Sequence, residues 1–250
     1  MHHILNSQSL SLFANLSYYD LLNINTNTAV QDSPAHFSAF LNCHHLYRLS
    51  FKSLWLEPLK STLEKADQLA TLEVNSWHSA FTDPIWETFS NIPIWVPMYI
   101  IIVAFLIQRL GWKKGLIVVA AAALTFGFCD QSSNFIKALT ERLRPCHDPF
   151  MLHNGLHILE SGGQFSFFSA HAANAFGLAT STLIGLRTDN RLKYRGYAAW
   201  MYIWATLVAI SRIFVGKHFL GDVIVGICIG AMAGWVFGSL AKMVIRRISA

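Results

Sequence analysis

Residues 219–245 read FLGDVIVGICIGAMAGWVFGSLAKMVI, with no charged side chain between Asp222 and Lys242. A bilayer core about 30 Å thick takes about 20 apolar residues wound as a helix, and this run supplies them. It is studded with Gly226, Gly230, Ala231, Ala233, Gly234 and Gly238. Small residues of this kind let helix backbones approach closely in lipid. The stretch reads as a membrane-spanning helix whose first turn carries a lone carboxylate.

Four more segments read the same way: Ile92–Leu110, Gly115–Ile136 (turning polar near Asp130), Ser169–Leu186 (rich in Ala, Gly, Ser and Thr) and Gly196–Phe214. Composition agrees. Hydrophobic residues make up 53% of the 250 and charged residues 13%, about half the share of about 25% usual in soluble proteins. Mean hydropathy is +0.38. The expected fold class is all-α, an integral-membrane helical bundle of about five transmembrane helices. Ahead of it, Leu54, Leu56, Leu59, Leu63, Leu69 and Leu72 fall near helical spacing, with Glu57, Lys60, Glu64, Lys65, Asp67 and Glu73 between them. That pattern predicts an amphipathic interfacial helix, too charged to span. Trp77, Trp86 and Trp95 follow, as expected near a membrane interface.

The chain is expected to divide into an extension over residues 1–50, an interfacial segment over 51–90 and the membrane domain over 91–247. The extension is rich in Asn, Ser and His, carries no catalytic pattern and reads as poorly ordered or as preceding the true start. Met1-His2-His3 lacks the basic opening of a signal peptide, and no apolar core follows. Cys43, Cys129, Cys146 and Cys228 form no C-x-x-C pair and read as isolated thiols. The net charge of +5 points to a membrane and to no nucleic acid, because the basic residues cluster between apolar runs. Arg109, Lys113 and Lys114 join spans one and two. Arg187, Arg191, Lys193 and Arg195 join spans three and four, and Lys242, Arg246 and Arg247 end the chain. Five spans put these clusters on one side, the cytoplasmic side by the positive-inside rule. The loop Lys137–Phe168 and the turn Arg212–His218 then face the periplasm or cell exterior from the inner membrane.

Three polar islands fall on that outer side: Lys137-Ala138-Leu139-Thr140-Glu141-Arg142-Leu143-Arg144-Pro145, then Phe168-Ser169-Ala170-His171, then Ser211-Arg212 with His218 and Asp222 beyond it. Lys137, Arg144 and Arg212 are cations at the ends of three different spans. Singly, each reads as a snorkelling anchor; together, beside two histidines and two serines, they make an anion cradle. Arginine offers a planar fork matched to phosphate oxygens. Ser169 opens the third span, where free backbone N–H groups favour an anion. His218 and Asp222, four apart, share a face if both are helical. A carboxylate on Nδ1 leaves Nε2 free as a nucleophile. His171 is suited to protonate a leaving group and then to activate water. Cys146, His147, His153 and His157 read as polar residues of an active-site loop, not as a metal site, and Asp148 and Glu160 as residues that touch substrate there.

These islands resemble the three signature motifs of the type 2 phosphatidic acid phosphatase family, which includes the vanadium haloperoxidases: K-x6-R-P, P-S-G-H and S-R-x5-H-x3-D. The first and third match at every defined position, and the three cover residues 137 to 222. The resemblance implies catalysis by His218 as nucleophile, Asp222 as its orienting partner and His171 as acid and base. It implies phosphate binding by Lys137, Arg144, Ser169, Arg212 and the backbone N–H of Ala170, with no metal and no cofactor. Phe168 and Ala170 stand where the family has Pro and Gly, and alanine tolerates positive φ poorly, so the turn is where this chain departs from the pattern.

The expected function is hydrolysis of a lipid phosphate or diphosphate through a phosphohistidine. Undecaprenyl diphosphate is the favoured substrate, with lipid A, phosphatidylglycerol phosphate and phosphatidate open beside it. A vanadate-dependent haloperoxidase and a non-catalytic lipid-binding or transport protein are the readings of a different class. Five spans weigh against the first, and an intact His171, His218 and Asp222 against the second.

Overall fold

A computed structural model describes residues 57–189 and 191–249. The expectations for residues 1–50, with Cys43, and for 51–56 lie outside them. The chain divides into residues 1–60 and 61–250, and the architecture that positions the site belongs to the second unit. Eight α-helices form among the described residues: α1 (Glu57–Asn75), α2 (Asp83–Ser90), α3 (Val96–Leu110, entered through a 3₁₀ turn over Ile92–Trp95), α4 (Trp112–Thr140), α5 (Pro149–His153), α6 (Ala170–Leu186), α7 (Arg195–Phe214) and α8 (Leu220–Arg247). Apart from one antiparallel bridge between Leu143 and Phe165, these residues form no β-structure.

Four segments are long and apolar enough to cross a bilayer: Ile92–Leu110, Trp112–Thr140, Arg195–Phe214 and Leu220–Arg247. Together they make this a multi-pass membrane protein. Ile100, Ile101, Phe135, Ile203, Met232 and Trp235 are exposed on them, as side chains facing lipid must be. The expected third span is α6, which has 17 residues and is about 26 Å long at 1.5 Å per residue. It packs against α3, α4, α7 and α8 and is buried along most of its length. A helix sheathed in protein needs neither the length nor the bulk of one that meets lipid.

The seam between α6 and α8 fixes the site. A Cβ at Gly230 would lie 2.1 Å from the Ala173 carbonyl oxygen, and one at Gly226 would lie 2.5 Å from that of Ser169. Only bare backbone fits at these crossings. The contact places the first turns of the two helices side by side, where the Ser169 N–H donates to the Asp222 carbonyl at 3.1 Å.

Helix α1 matches the expected amphipathic segment but docks by its polar stripe. Asp67, Thr71 and Asn75, four apart, turn inward, while Leu63 and Leu69 are exposed. Thr71 Oγ accepts from the Leu220 N–H at 2.9 Å and Asp67 Oδ1 from the Gly221 N–H at 2.7 Å. These are donors that an α-helix cannot satisfy at its own start. Leu63 and Leu69 stay exposed while Leu72 packs beside Met151, Leu156 and Phe219, so α1 docks by polar contacts and only part of its apolar stripe.

Candidate active site

The end of α4, the starts of α6 and α8 and the end of α7 meet at one end of the bundle, and they bring the three islands together. Helix α4 closes at Glu141, in the left-handed region at φ 47°, with Lys137 in its last turn. The chain then turns outward and presents Arg142 and Arg144. Arg212 lies in the last turn of α7 and is 2% exposed.

His218 precedes α8, while Asp222 sits inside its first turn. The pair therefore does not share a helical face, as the i,i+4 spacing predicts, but meets through the cap. Asp222 Oδ2 accepts from the Phe219 N–H at 3.1 Å and lies 3.4 Å from His218 Nδ1. Both residues are buried. Arg144 Nη1 lies 3.5 Å from His218 Nε2. A guanidinium can only donate, so this contact places a lone pair on Nε2 and the proton on Nδ1, facing Asp222. Burial pushes the His218 imidazole well below its usual range, and the charges of Arg212, Arg144, Lys137 and Lys217 push the same way. The ring is neutral at neutral pH.

His171 lies within electrostatic reach of Arg212, His218, Lys217 and Lys137. Ser169, fully buried, caps α6 by accepting from the Ala172 N–H at 3.4 Å. Ala170 is the first residue of α6 and is not among the residues at positive φ. Ala170 thus stands where the family has Gly without needing positive φ, because this position asks only for helical φ. Phe168 is buried against Cys129, Ala173 and Ala233, and its carbonyl accepts from Ser133 Oγ at 2.9 Å. Ser211 turns away, its hydroxyl donating to the Val208 carbonyl at 2.8 Å.

Two buried guanidinium nitrogens, Arg144 Nε and Arg212 Nε, have no protein partner. Burying an unsatisfied donor costs about 1–3 kcal/mol. An anion seated between these forks and Lys137 meets that need.

Several residues at the site carry no motif position that gives them a role. Arg142, an undefined position of K-x6-R-P, reaches Asp222 Oδ1 and Asp67 Oδ2, each at 2.7 Å, and lies 4.0 Å over the Phe219 ring. Ser90 at the end of α2 accepts from Arg212. Lys217 pairs with Glu160. The signal for Asp67 was available as the spacing Asp67, Thr71, Asn75, which the leucines around it obscured. Asp148, expected to touch substrate, instead caps α5 through Phe150 and Met151 and accepts from Gln68 at 3.0 Å. His153 ends α5 and His147 Nε2 faces the Gly162 carbonyl at 3.0 Å, so with buried Cys146 they form loop structure. His157 faces Asp83 at 3.0 Å.

Beneath the site, between α3, α4, α6 and α7, lies a largely apolar cavity of about 540 Å³. Trp95, Tyr99, Phe126, Leu178 and Trp204 are among its walls, and His171 lines it. The arrangement can hold a phosphate among cations, offer it an imidazole nitrogen and receive an apolar tail.

Comparison with known proteins agrees with this geometry. The family model described as the PAP2 superfamily matches residues 112–246. A lipid A 4'-phosphatase of Bacteroides thetaiotaomicron is 35% identical over 189 residues, 74% of this chain and 81% of that protein. A lipid A 4'-phosphatase of Porphyromonas gingivalis is 35% identical over 167 residues, 65% and 67% of the two chains. Among solved structures, a transmembrane PAP2 type phosphatidylglycerolphosphate phosphatase from Bacillus subtilis superposes with a TM-score of 0.57 at 20% identity. That match covers 73% of this chain and 88% of the other and shows a shared fold.

Proposed function

The chain belongs to the PAP2 superfamily and is a membrane lipid phosphatase, and within that class we propose that it removes the 4′-phosphate of lipid A. The observation that carries the proposal is the 35% identity that runs over 81% of a lipid A 4'-phosphatase. Lipid A is a phosphorylated disaccharide bearing acyl chains, and the apolar cavity lined in part by His171 suits such a chain. Undecaprenyl diphosphate, favoured on the sequence, ranks behind it, because the motifs select phosphate and not the lipid.

In the proposed reaction Lys137, Arg144 and Arg212 hold the phosphoryl oxygens, with Ser169 and the Ala170 N–H at the start of α6. His218 Nε2 attacks phosphorus. The N–P bond forms as the ester P–O bond breaks, and the sugar oxygen takes a proton from His171. His171 then draws a proton from water, whose oxygen bonds to phosphorus as the N–P bond breaks. Inorganic phosphate leaves and His218 is restored. Asp222 keeps the proton on Nδ1 throughout. The site opens to the periplasmic face of the inner membrane in this account. The three basic clusters at the opposite end, which the positive-inside rule puts in the cytoplasm, support that orientation.

The test is phosphate release by detergent-purified protein from bis-phosphorylated lipid A, undecaprenyl diphosphate, phosphatidylglycerol phosphate and phosphatidate, with the lipid A product located by mass spectrometry. The proposal expects the highest kcat/KM for lipid A and loss of its 4′-phosphate. A higher value for any of the other three overturns it.

A further inference from the structure

Away from the phosphate cradle, the turn between α1 and α2 brings a second set of donor atoms together. His157 Nε2 lies 3.0 Å from Asp83 Oδ2, and His78 Nδ1 lies 3.8 Å from the same oxygen. The imidazoles stack with centroids 3.6 Å apart and planes 5° from parallel, and a shared ion, which must lie in the plane of each ring, is reached by turning one ring about its Cβ–Cγ bond. One ligand atom from each residue lies within 4.8 Å of the other two. His78 Nδ1 and Asp83 Oδ1 are buried and have no hydrogen-bond partner.

We propose that His78, Asp83 and His157 form a structural binding site for a divalent transition-metal ion, zinc above all. Two nitrogens and one carboxylate oxygen are a zinc donor set. Bonds of about 2.0–2.1 Å place tetrahedral ligands about 3.3 Å apart, and the two measured separations bracket that edge. The ion takes as a ligand His78 Nδ1, a buried atom that the protein leaves unpartnered; the other such atom, Asp83 Oδ1, belongs to the same liganding carboxylate. A fourth position remains for water.

The frame around the three residues is stiff. Asn75, buried at the end of α1, accepts from the His157 N–H at 2.8 Å and donates to the His157 and Ile213 carbonyls, each at 3.0 Å. Asp83 is the first residue of α2, whose last residue, Ser90, holds Arg212, and Trp86 between them stacks on Phe214 at 4.3 Å. Three residues beyond His157, Glu160 pairs with Lys217 beside His218. A metal here staples the α1–α2 turn to the loop that borders the phosphate cradle. The site is independent of which lipid the enzyme cleaves.

The test uses the full-length protein in detergent, stripped of metal by chelation and titrated with Zn²⁺, reading stoichiometry by elemental analysis after dialysis and stability by thermal melting. Wild type is expected to retain one tight equivalent and to melt higher with zinc. His78→Gln and His157→Gln are expected to weaken that site more than about 100-fold, beyond the loss usual for an outer-shell partner, and to abolish the zinc-dependent rise in Tm. His147→Gln, outside the cluster, is expected to bind as wild type does. His78→Gln guards against misfolding of the others, since it lies on the turn and its melting point without metal reports the fold directly. Absence of tight zinc in wild type overturns the proposal, as does its retention in both His78→Gln and His157→Gln.

Discussion

At the end of the bundle formed by the α3–α4 and α6–α7 turns, Asp189 accepts from Arg191 Nε at 2.7 Å and from the Tyr194 hydroxyl at 2.6 Å, and lies 3.8 Å from Arg109. Arg191 closes the set on the Arg109 carbonyl at 3.3 Å. At the other end, Arg212 and Arg144 each keep a buried nitrogen without a protein partner, while Arg142 divides itself between Asp67 and Asp222. Both ends set arginines beside carboxylates. The first set is self-contained, with Arg191 mostly exposed; the second buries Arg212 and Asp222 and holds cations in surplus. Charges that serve packing close on one another, whereas charges that serve a ligand leave donors over. Within the second end, Arg142 behaves like the first kind and Arg144 and Arg212 like the second.

The largest effect that bears on this contrast is expected at His218. His218→Ala should reduce turnover to background in a protein that still purifies as a folded monomeric or oligomeric species. Asp222→Asn, which loses control of the tautomer, should cost roughly 10⁴-fold in kcat. Phosphate release over hours measures both, and near-wild-type turnover in either would remove the mechanism. Next comes the surplus itself. Arg212→Lys keeps the charge but loses the fork, and its kcat should fall roughly 10²–10³-fold, as when one preorganised donor to developing charge is removed. A loss no larger than that of Asp189→Asn would erase the distinction between the two ends.

Arg142→Ala sharpens the division inside the site. It strands Asp222, which is fully buried, and breaking such a pair costs about 3–5 kcal/mol. Denaturation in detergent should show this as a clear drop in stability. A variant as stable as wild type would mean that Arg142 belongs with the phosphate-binding cations. The expected effect of pH is smaller. Burial holds the folded His218 well below its usual range, so below about pH 6.5 the unfolded chain takes up a proton that the folded one refuses. Stability from this residue is present above that pH and is lost as pH falls through it towards the folded value. Melting scans from pH 7.5 to 5 should show this slope in wild type and a shallower one in His218→Gln. Asp189→Asn, at the opposite end, should leave kcat/KM unchanged and lower the melting point only slightly.

How much of this was legible in the sequence follows from where each residue meets lipid, protein or phosphate. Helices α3, α4, α7 and α8 face lipid, and lipid demands long apolar runs, so they stood out. α6 runs from the phosphate end to the Asp189 end but meets protein on nearly every side, so its run is short and rich in small residues. α1 stood out by its leucines, while Asp67 and Thr71, by which it meets the start of α8, lay hidden among them. The motif positions Lys137, Arg144, Arg212 and His218 lie at one end of the bundle, whereas Ser211, also a motif position, turns away to the Val208 carbonyl. Arg142, Asp67 and Ser90 were not assigned roles, because their partners lie 75 or more residues away, a range over which spacing carries no information. His218 and Asp222 meet through a helix cap and not on one helical face, because His218 precedes α8 and four residues can be bridged either way.

The most direct test of the central claim is to trap the covalent intermediate. Wild-type protein is mixed with lipid A labelled in its 4′-phosphate and quenched in alkali within a turnover, and the labelled peptide is sequenced by mass spectrometry. Phosphohistidine survives alkali and is lost in acid. The account predicts a phosphoryl group on His218, lost on acid treatment and absent from His218→Ala. Turnover of the lipid with no phosphoryl group on the protein, or with one on any other residue, would contradict it.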